Sequence, residues 1–205
     1  MQELVMGIEQ RLPAKPASTA LLVGVSGIDG SGKGYVTAKL SERLRKRGIS
    51  VAVVNVDGWL NLPHIRFDPA DLAGNFYRRG IRMDEMFRRL VLPLRQERSI
   101  YLEVDHTEEM ATEYRKHVYD HRDIEVILLE GIFLFKRECA GLLDLRIWID
   151  CDFDTALRRA VTRSQEGLDP KETERAYRRI YFPAQRLHFA IDRPGESANI
   201  VYENP

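Results

Sequence analysis

Two cysteines, Cys139 and Cys151, are all that the 205 residues contain. Their spacing fits neither a metal knuckle nor a C-x-x-C redox pair. A disulfide framework and a cysteine-ligated metal are therefore excluded, and both residues are expected to be reduced thiols. Net charge is lacking as well: 31 basic residues balance 31 acidic ones. No overall field marks the chain for nucleic acid or for an anionic membrane surface. No apolar run approaches the ~20 residues of a membrane span, and the N-terminal residues lack a secretory-signal pattern. Internal repeats and low-complexity segments are not evident. These absences leave an expected cytoplasmic protein, 44% apolar and long enough for one full core.

What is present is organised around residues 21–34, LLVGVSGIDGSGKG. The apolar run Leu21 to Val25 reads as a short buried strand that closes on glycines. From Gly27 to Lys33 the spacing is G-x-x-x-x-G-K, and an amphipathic helical pattern with Val36, Leu40 and Leu44 on one face follows at once. Glycines let a backbone fold around an anion with its N–H groups inward, and the positive end of the next helix faces the same point. The segment Gly27, Asp29, Gly30, Ser31, Gly32, Lys33, Gly34 and Tyr35 is thus the expected nucleotide-phosphate cradle, with Lys33 reaching the β- and γ-phosphates. The competing reading is a glycine-rich turn with no ligand. One position departs from the pattern: Gly34 stands where a Ser or Thr hydroxyl ordinarily ligates Mg²⁺, and Tyr35 replaces a second small hydroxyl residue.

A short helical stripe over Glu3 to Leu12 precedes this stretch, joined to it by the connector Pro13 to Thr19. Ser50 to Val56 reads as a second strand, running into Asp57-Gly58-Trp59. Ligands of open parallel sheets sit beyond the carboxyl ends of strands, so Asp57 is expected at the active edge as a general base. Its alternative is an ordinary turn aspartate. Trp59 is a candidate for stacking on a base or sugar, against a core role. Leu62 to Gly80 reads as a loop with one short helix, and Met83 to Leu94 as a helix. Arg78, Arg79, Arg82, Arg88 and Arg89 read as a solvated basic face. Ser99 to Val104 and Tyr114 to Tyr119 suggest a hairpin outside the main sheet, with His106 and Arg115 as substrate-contact candidates. Ile124 to Leu129 is a third apolar strand ending at Glu130, the position of an acidic residue that reaches Mg²⁺. Asp144 to Asp150 is a fourth strand. The helix after it carries Arg158, Arg159 and Arg163, able to close over phosphates or to form an exposed face paired with Asp154 and Glu166. A helix opens at Pro170 and is read as interrupted at Pro183, before a terminal strand, Ala198 to Tyr202. Strands alternating with helices indicate an α/β fold with three layers and a parallel central sheet.

These landmarks together resemble the uridine kinase and phosphoribulokinase group of phosphate-loop kinases. They are GIDGSGK, Asp57-Gly58-Trp59, LLEGIFLF at Leu128 to Phe135, LLDLRIWID at Leu142 to Asp150, RRAVTR at Arg158 to Arg163, and Pro183 before ANIVY. The resemblance implies a single phosphate-loop NTPase domain over residues 1–205, a small β-hairpin acceptor-binding insertion at about 61–122 and a lid at about 158–182. It implies ATP and Mg²⁺ as cofactors and a small-molecule alcohol as substrate, uridine or cytidine first, with neither nucleic acid nor membrane as partner. A homo-oligomer stays open. Lys33, Asp57 and Glu130 would be catalytic, Asp57 and Glu130 would face the metal, and Arg158, Arg159 and Arg163 would cover the nucleotide. Asp57, Trp59, Phe76, Tyr77, His106 and Arg115 would meet the acceptor. A nucleoside-monophosphate kinase and a non-catalytic nucleotide-binding protein, the latter motivated by Gly34, are the alternatives.

Overall fold

The computed structural model describes residues 1–163 and 169–204. Seven strands are formed among them: β1 (Leu21–Gly27), β2 (Val51–Asn55), β3 (Ile100–His106), β4 (Arg115–His121), β5 (Val126–Gly131), β6 (Leu145–Asp150) and β7 (Ile200–Glu203). Five make one parallel sheet in the order β2-β5-β1-β6-β7, and β3 and β4 pair antiparallel as a separate hairpin. β1 and β5 are buried at every residue, as expected of central parallel strands covered on both faces.

Successive side chains of β1 point to opposite faces, which divides the core in two. Leu21, Val23 and Val25 pack against Leu4 and Ile8 of helix Gln2–Glu9 and Val36, Leu40 and Leu44 of helix Lys33–Arg45. Leu22, with Ile127, Leu129 and Trp148, joins the larger core on the other face, under the remaining helices. The three-layer α/β arrangement is therefore as read from the alternation of elements.

Two readings of the chain are corrected. Leu62 to Gly80 contains two helices, Pro63–Arg66 and Leu72–Arg79, the second capped by the Asp71 carboxylate accepting from the Gly74 N–H at 3.0 Å. Pro183 does not interrupt its helix. Pro170–Ala176 continues through a π-helical turn, Tyr177–Tyr181, into Phe182–Asp192. A proline inside an α-helix removes a hydrogen bond and its ring strikes the preceding turn, and a widened turn just before it relieves both. The same device recurs at Phe87–Val91, just before Pro93. FRRLVLP and YRRIYFP are accordingly a short repeat in both sequence and conformation, against the expectation of no internal repeat. Among the described residues, no helix is long and apolar enough to cross a membrane.

Candidate active site

The glycine-rich turn between β1 and helix Lys33–Arg45 takes the shape its sequence requires. Gly30 and Gly32 have φ of 75° and 87°, a region side chains disfavour, and a Cβ on Gly30 would stand 2.3 Å from the Ala156 carbonyl oxygen. The turn is braced from the far end of the chain. Asn204, just beyond β7, donates through its amide to the Ser31 carbonyl at 2.7 Å, and Arg159 Nη1 donates to the carbonyls of Ser31 and Asn204. Buried Gln185 accepts from the Asp29 N–H at 3.2 Å and donates to its carboxylate at 3.1 Å. Lys33 is 8% exposed, bonds the Ile28 carbonyl and lies 3.7 Å from Asp29 Oδ1.

Asp57 and Glu130 stand where the strand readings put them. β2 ends at Asn55, and a 3₁₀ turn, Val56–Trp59, carries Asp57 past the strand end. Asn55 and Glu130 are register partners across β2 and β5. The Asn55 amide therefore donates to Glu130 Oε2 at 2.7 Å while its carbonyl oxygen accepts from the Asp57 N–H at 2.8 Å. One side chain thus fixes both acids. Burial pushes the Glu130 carboxyl up to about 7, with Lys33 opposing and Asp57 and Asp29 reinforcing. Asp57 reaches open space yet sits low among protein atoms, and that desolvation raises its carboxyl too, again opposed by Lys33.

The Glu130 shift has a definite sign for folding. The folded protein keeps this proton up to about 7, whereas the unfolded chain releases it near 4.5. Between those values the folded state binds more protons, so this carboxyl removes stability as pH rises through the window. Urea titrations should show wild type losing roughly 2–3 kcal/mol relative to Glu130→Gln between about pH 5 and 7.5. A pH-independent difference would contradict the assignment.

Two cavities meet here. One, about 690 Å³, is bordered by the glycine turn, Lys33, Tyr35, Glu130 and Arg159. The other, about 490 Å³, is walled by Phe76, His106, Ile132, Tyr177 and Tyr181. Asp29, Asn55, Asp57 and Arg163 belong to both. A group in one cavity can thus meet a group in the other beside Asp57.

Several candidates lie elsewhere. Trp59 is fully buried, stacked on Tyr119 and donating to its hydroxyl at 3.2 Å, so it is core. Tyr77 gives its hydroxyl to Asp192 at 2.5 Å and borders a different cleft, because its neighbour Phe76 takes the helix face toward the site. Arg115 is exposed at the loop end of the hairpin, opposite His106, and borders neither cavity. Arg158 binds the Thr155 hydroxyl on the outer face of its helix. Gly27 is the last residue of β1 and borders neither cavity. Arg82 is not part of a solvated face: it ion-pairs with Glu85 and lies over the Trp59 and Tyr114 rings. Glu166 and part of the lid expected at 158–182 lie outside the described residues. Conversely, Asn55, Arg66, Gln185 and Asn204 were not singled out, since each acts through a partner distant in the chain.

A strand, a glycine turn with its lysine and helix, and acids at the carboxyl edge of a parallel sheet define the fold of the phosphate-loop kinases. Comparisons with known proteins agree. The family model for the methylmalonyl-CoA mutase-associated GTPase MeaB matches residues 7–61, the part holding this turn and its two flanking strands. No curated protein matches the sequence. Among solved structures, one described as a possible uridine kinase from Bacillus stearothermophilus superposes with a TM-score of 0.74 at 19% identity, over 98% of each chain. A candidate fructose transport system kinase from Silicibacter sp. TM1040 gives 0.72 at 19% identity, over 99% of this chain and 98% of the other. D-glycerate 3-kinase from Cryptococcus neoformans var. grubii gives 0.65 at 13% identity, over 91% of this chain and 87% of the other. These likenesses establish the fold, including the hairpin beside a five-stranded parallel sheet.

Proposed function

We propose that the protein is an ATP-dependent kinase that moves a phosphoryl group to a hydroxyl of a small metabolite, with uridine or cytidine the acceptors that the resemblance puts first. The observation that carries this reading is the junction of the two cavities at Asp57. Polyphosphate bound on the loop amides and Lys33 would end beside an acceptor hydroxyl in the neighbouring cavity, which is the geometry in-line transfer needs. Asp57 takes the hydroxyl proton, its raised carboxyl making it a stronger base than a solvated aspartate. Lys33 and Arg163 offset charge on the transferred group, and Arg159 holds the loop.

The site also fits the magnesium such chemistry uses. Asp57 and Glu130 border one cavity together, each carboxyl raised by desolvation and Glu130 raised further by Asp57, a pair that a cation between them would hold ionised. Among the described residues no three His, Cys, Asp or Glu side chains form a metal cage. Nucleotide-borne magnesium does not need one, because it takes one or two carboxylates beside waters and phosphate oxygens. Asp57 and Glu130 would hold it, and it would shield the phosphate oxygens.

Gly34 favours a second reading, nucleotide binding without transfer. A Cβ built on Gly34 meets nothing within 4 Å, so the missing hydroxyl leaves open space rather than a filled one. Labelled ATP with magnesium and a panel of nucleosides, nucleoside monophosphates and other small alcohols is expected to yield labelled acceptor. Gly34→Ser should fit without loss of stability and raise turnover several-fold at limiting magnesium. Tight ATP binding with no transfer by either protein would establish the second reading instead.

A further inference from the structure

The roles assigned so far leave out Arg66, a buried cation on the wall of the acceptor-side cavity. It closes helix Pro63–Arg66, is 2% exposed, and shares the cavity with Asp57, His106 and Tyr181. Its Nη2 donates to the Glu109 carbonyl, and the guanidinium carbon lies 4.9 Å from the centre of the Phe67 ring. Its Nε is cut off from water and unpartnered, and its Nη1 bonds no described residue.

A guanidinium cannot shed its proton in a protein, so this charge persists. A buried charge with unfilled donors is costly, and one carbonyl does not compensate it. Desolvation accordingly lowers the pKa of Arg66 from its ordinary value. Among the described residues no carboxylate bonds it, and Glu109 and Asp57 act on its charge only from a distance. Glu109 accepts from the Tyr181 hydroxyl at 2.7 Å, Asp29 is held by Gln185 and Lys33, and Glu108 is exposed at the rim. Arg66 makes no ion pair among the described residues. The group that would complete it is a planar or tetrahedral oxyanion, the partner that the guanidinium fork matches best.

We infer that Arg66 receives an oxyanion of the acceptor, a carboxylate or a phosphate ester, so that the molecule phosphorylated is a hydroxyl-bearing acid. This rests on the kinase reading above and moves the acceptor away from the neutral nucleosides that the resemblance puts first. The aromatic walls alone would suit a neutral ring; the buried cation is what discriminates.

Calorimetry on the full chain, saturated with magnesium and a non-hydrolysable ATP analogue, tests this with matched pairs. Glycerate against glycerol probes a carboxylate, and ribose 5-phosphate against ribose or uridine monophosphate against uridine probes a phosphate. At least one acid should bind about 10- to 100-fold more tightly than its neutral partner, the worth of charge-assisted hydrogen bonds. Arg66→Gln should erase that preference without altering affinity for the neutral partner. Arg66→Lys, which keeps the charge and loses the fork, should retain part of it, and decides the matter if the Gln variant does not fold. The inference is overturned if no acid outbinds its partner in wild type, or if the preference survives in a folded Arg66→Gln protein. Acid binding with no transfer from ATP would remove the kinase reading and keep Arg66. Transfer to neutral alcohols as readily as to acids would do the reverse.

Discussion

Asp57→Asn should lower turnover by about 10²- to 10⁴-fold, the usual worth of a positioned general base, while ATP affinity changes by no more than a few-fold. The substitution is nearly isosteric and keeps the backbone bond that Asn55 accepts from residue 57. It leaves the loop amides and Lys33 untouched, so the phosphate cradle should stay intact. What it removes is a carboxylate at the border of two cavities, where desolvation has already raised its basicity. Rapid-quench measurement of the transfer step, beside equilibrium titration of ATP, separates the two effects. Turnover within ten-fold of wild type would show that Asp57 is not the base.

Gly30→Ala should be the most damaging single-methyl substitution in the phosphate loop. Residue 30 has φ of 75°, and the added Cβ would meet the Ala156 carbonyl oxygen at 2.3 Å, backbone that cannot swing aside. Left-handed conformation and overpacking together cost roughly 2–5 kcal/mol. Denaturant midpoints should fall accordingly, and ATP binding should be lost even where the chain stays folded, because the N–H groups no longer converge. Gly34→Ala is the control: it meets open space, lies in a helix, and should be neutral or slightly stabilising. Equal effects at the two positions would mean that the loop geometry is not what binds.

The parts of this site that local chemistry dictates were legible in the sequence. A buried strand, a glycine turn and a helix fix the phosphate loop within a dozen residues. Asp57 and Glu130 follow from the rule that acids just past parallel strands reach the ligand edge. What was not legible depends on pairing. Asn55 is one more residue of a β-branched strand until β2 is seen to lie beside β5, whereupon it faces Glu130. Gln185 and Asn204 meet the loop from 156 and 173 residues away, and no local pattern marks them. Arg66 was hidden in a segment whose prolines and polar residues suggested a loop with one short helix, where two helices form. Trp59 misled because a large aromatic after Asp-Gly suits a ligand platform and a core plug equally, and only its stacking on Tyr119 decides. Pro183 misled because the sequence does not announce a widened turn, although its echo before Pro93 could have.

The bracing of the phosphate loop by Arg159 and Asn204 has a consequence for biosynthesis. The loop leaves the ribosome well before the groups that hold its Ser31 carbonyl, which follow 128 and 173 residues later. Domains fold as units during translation, and contacts spanning most of the chain form last. A partly made polypeptide therefore carries the motif without its braces, and the loop reaches its final shape only once the segment beyond β7 is in place.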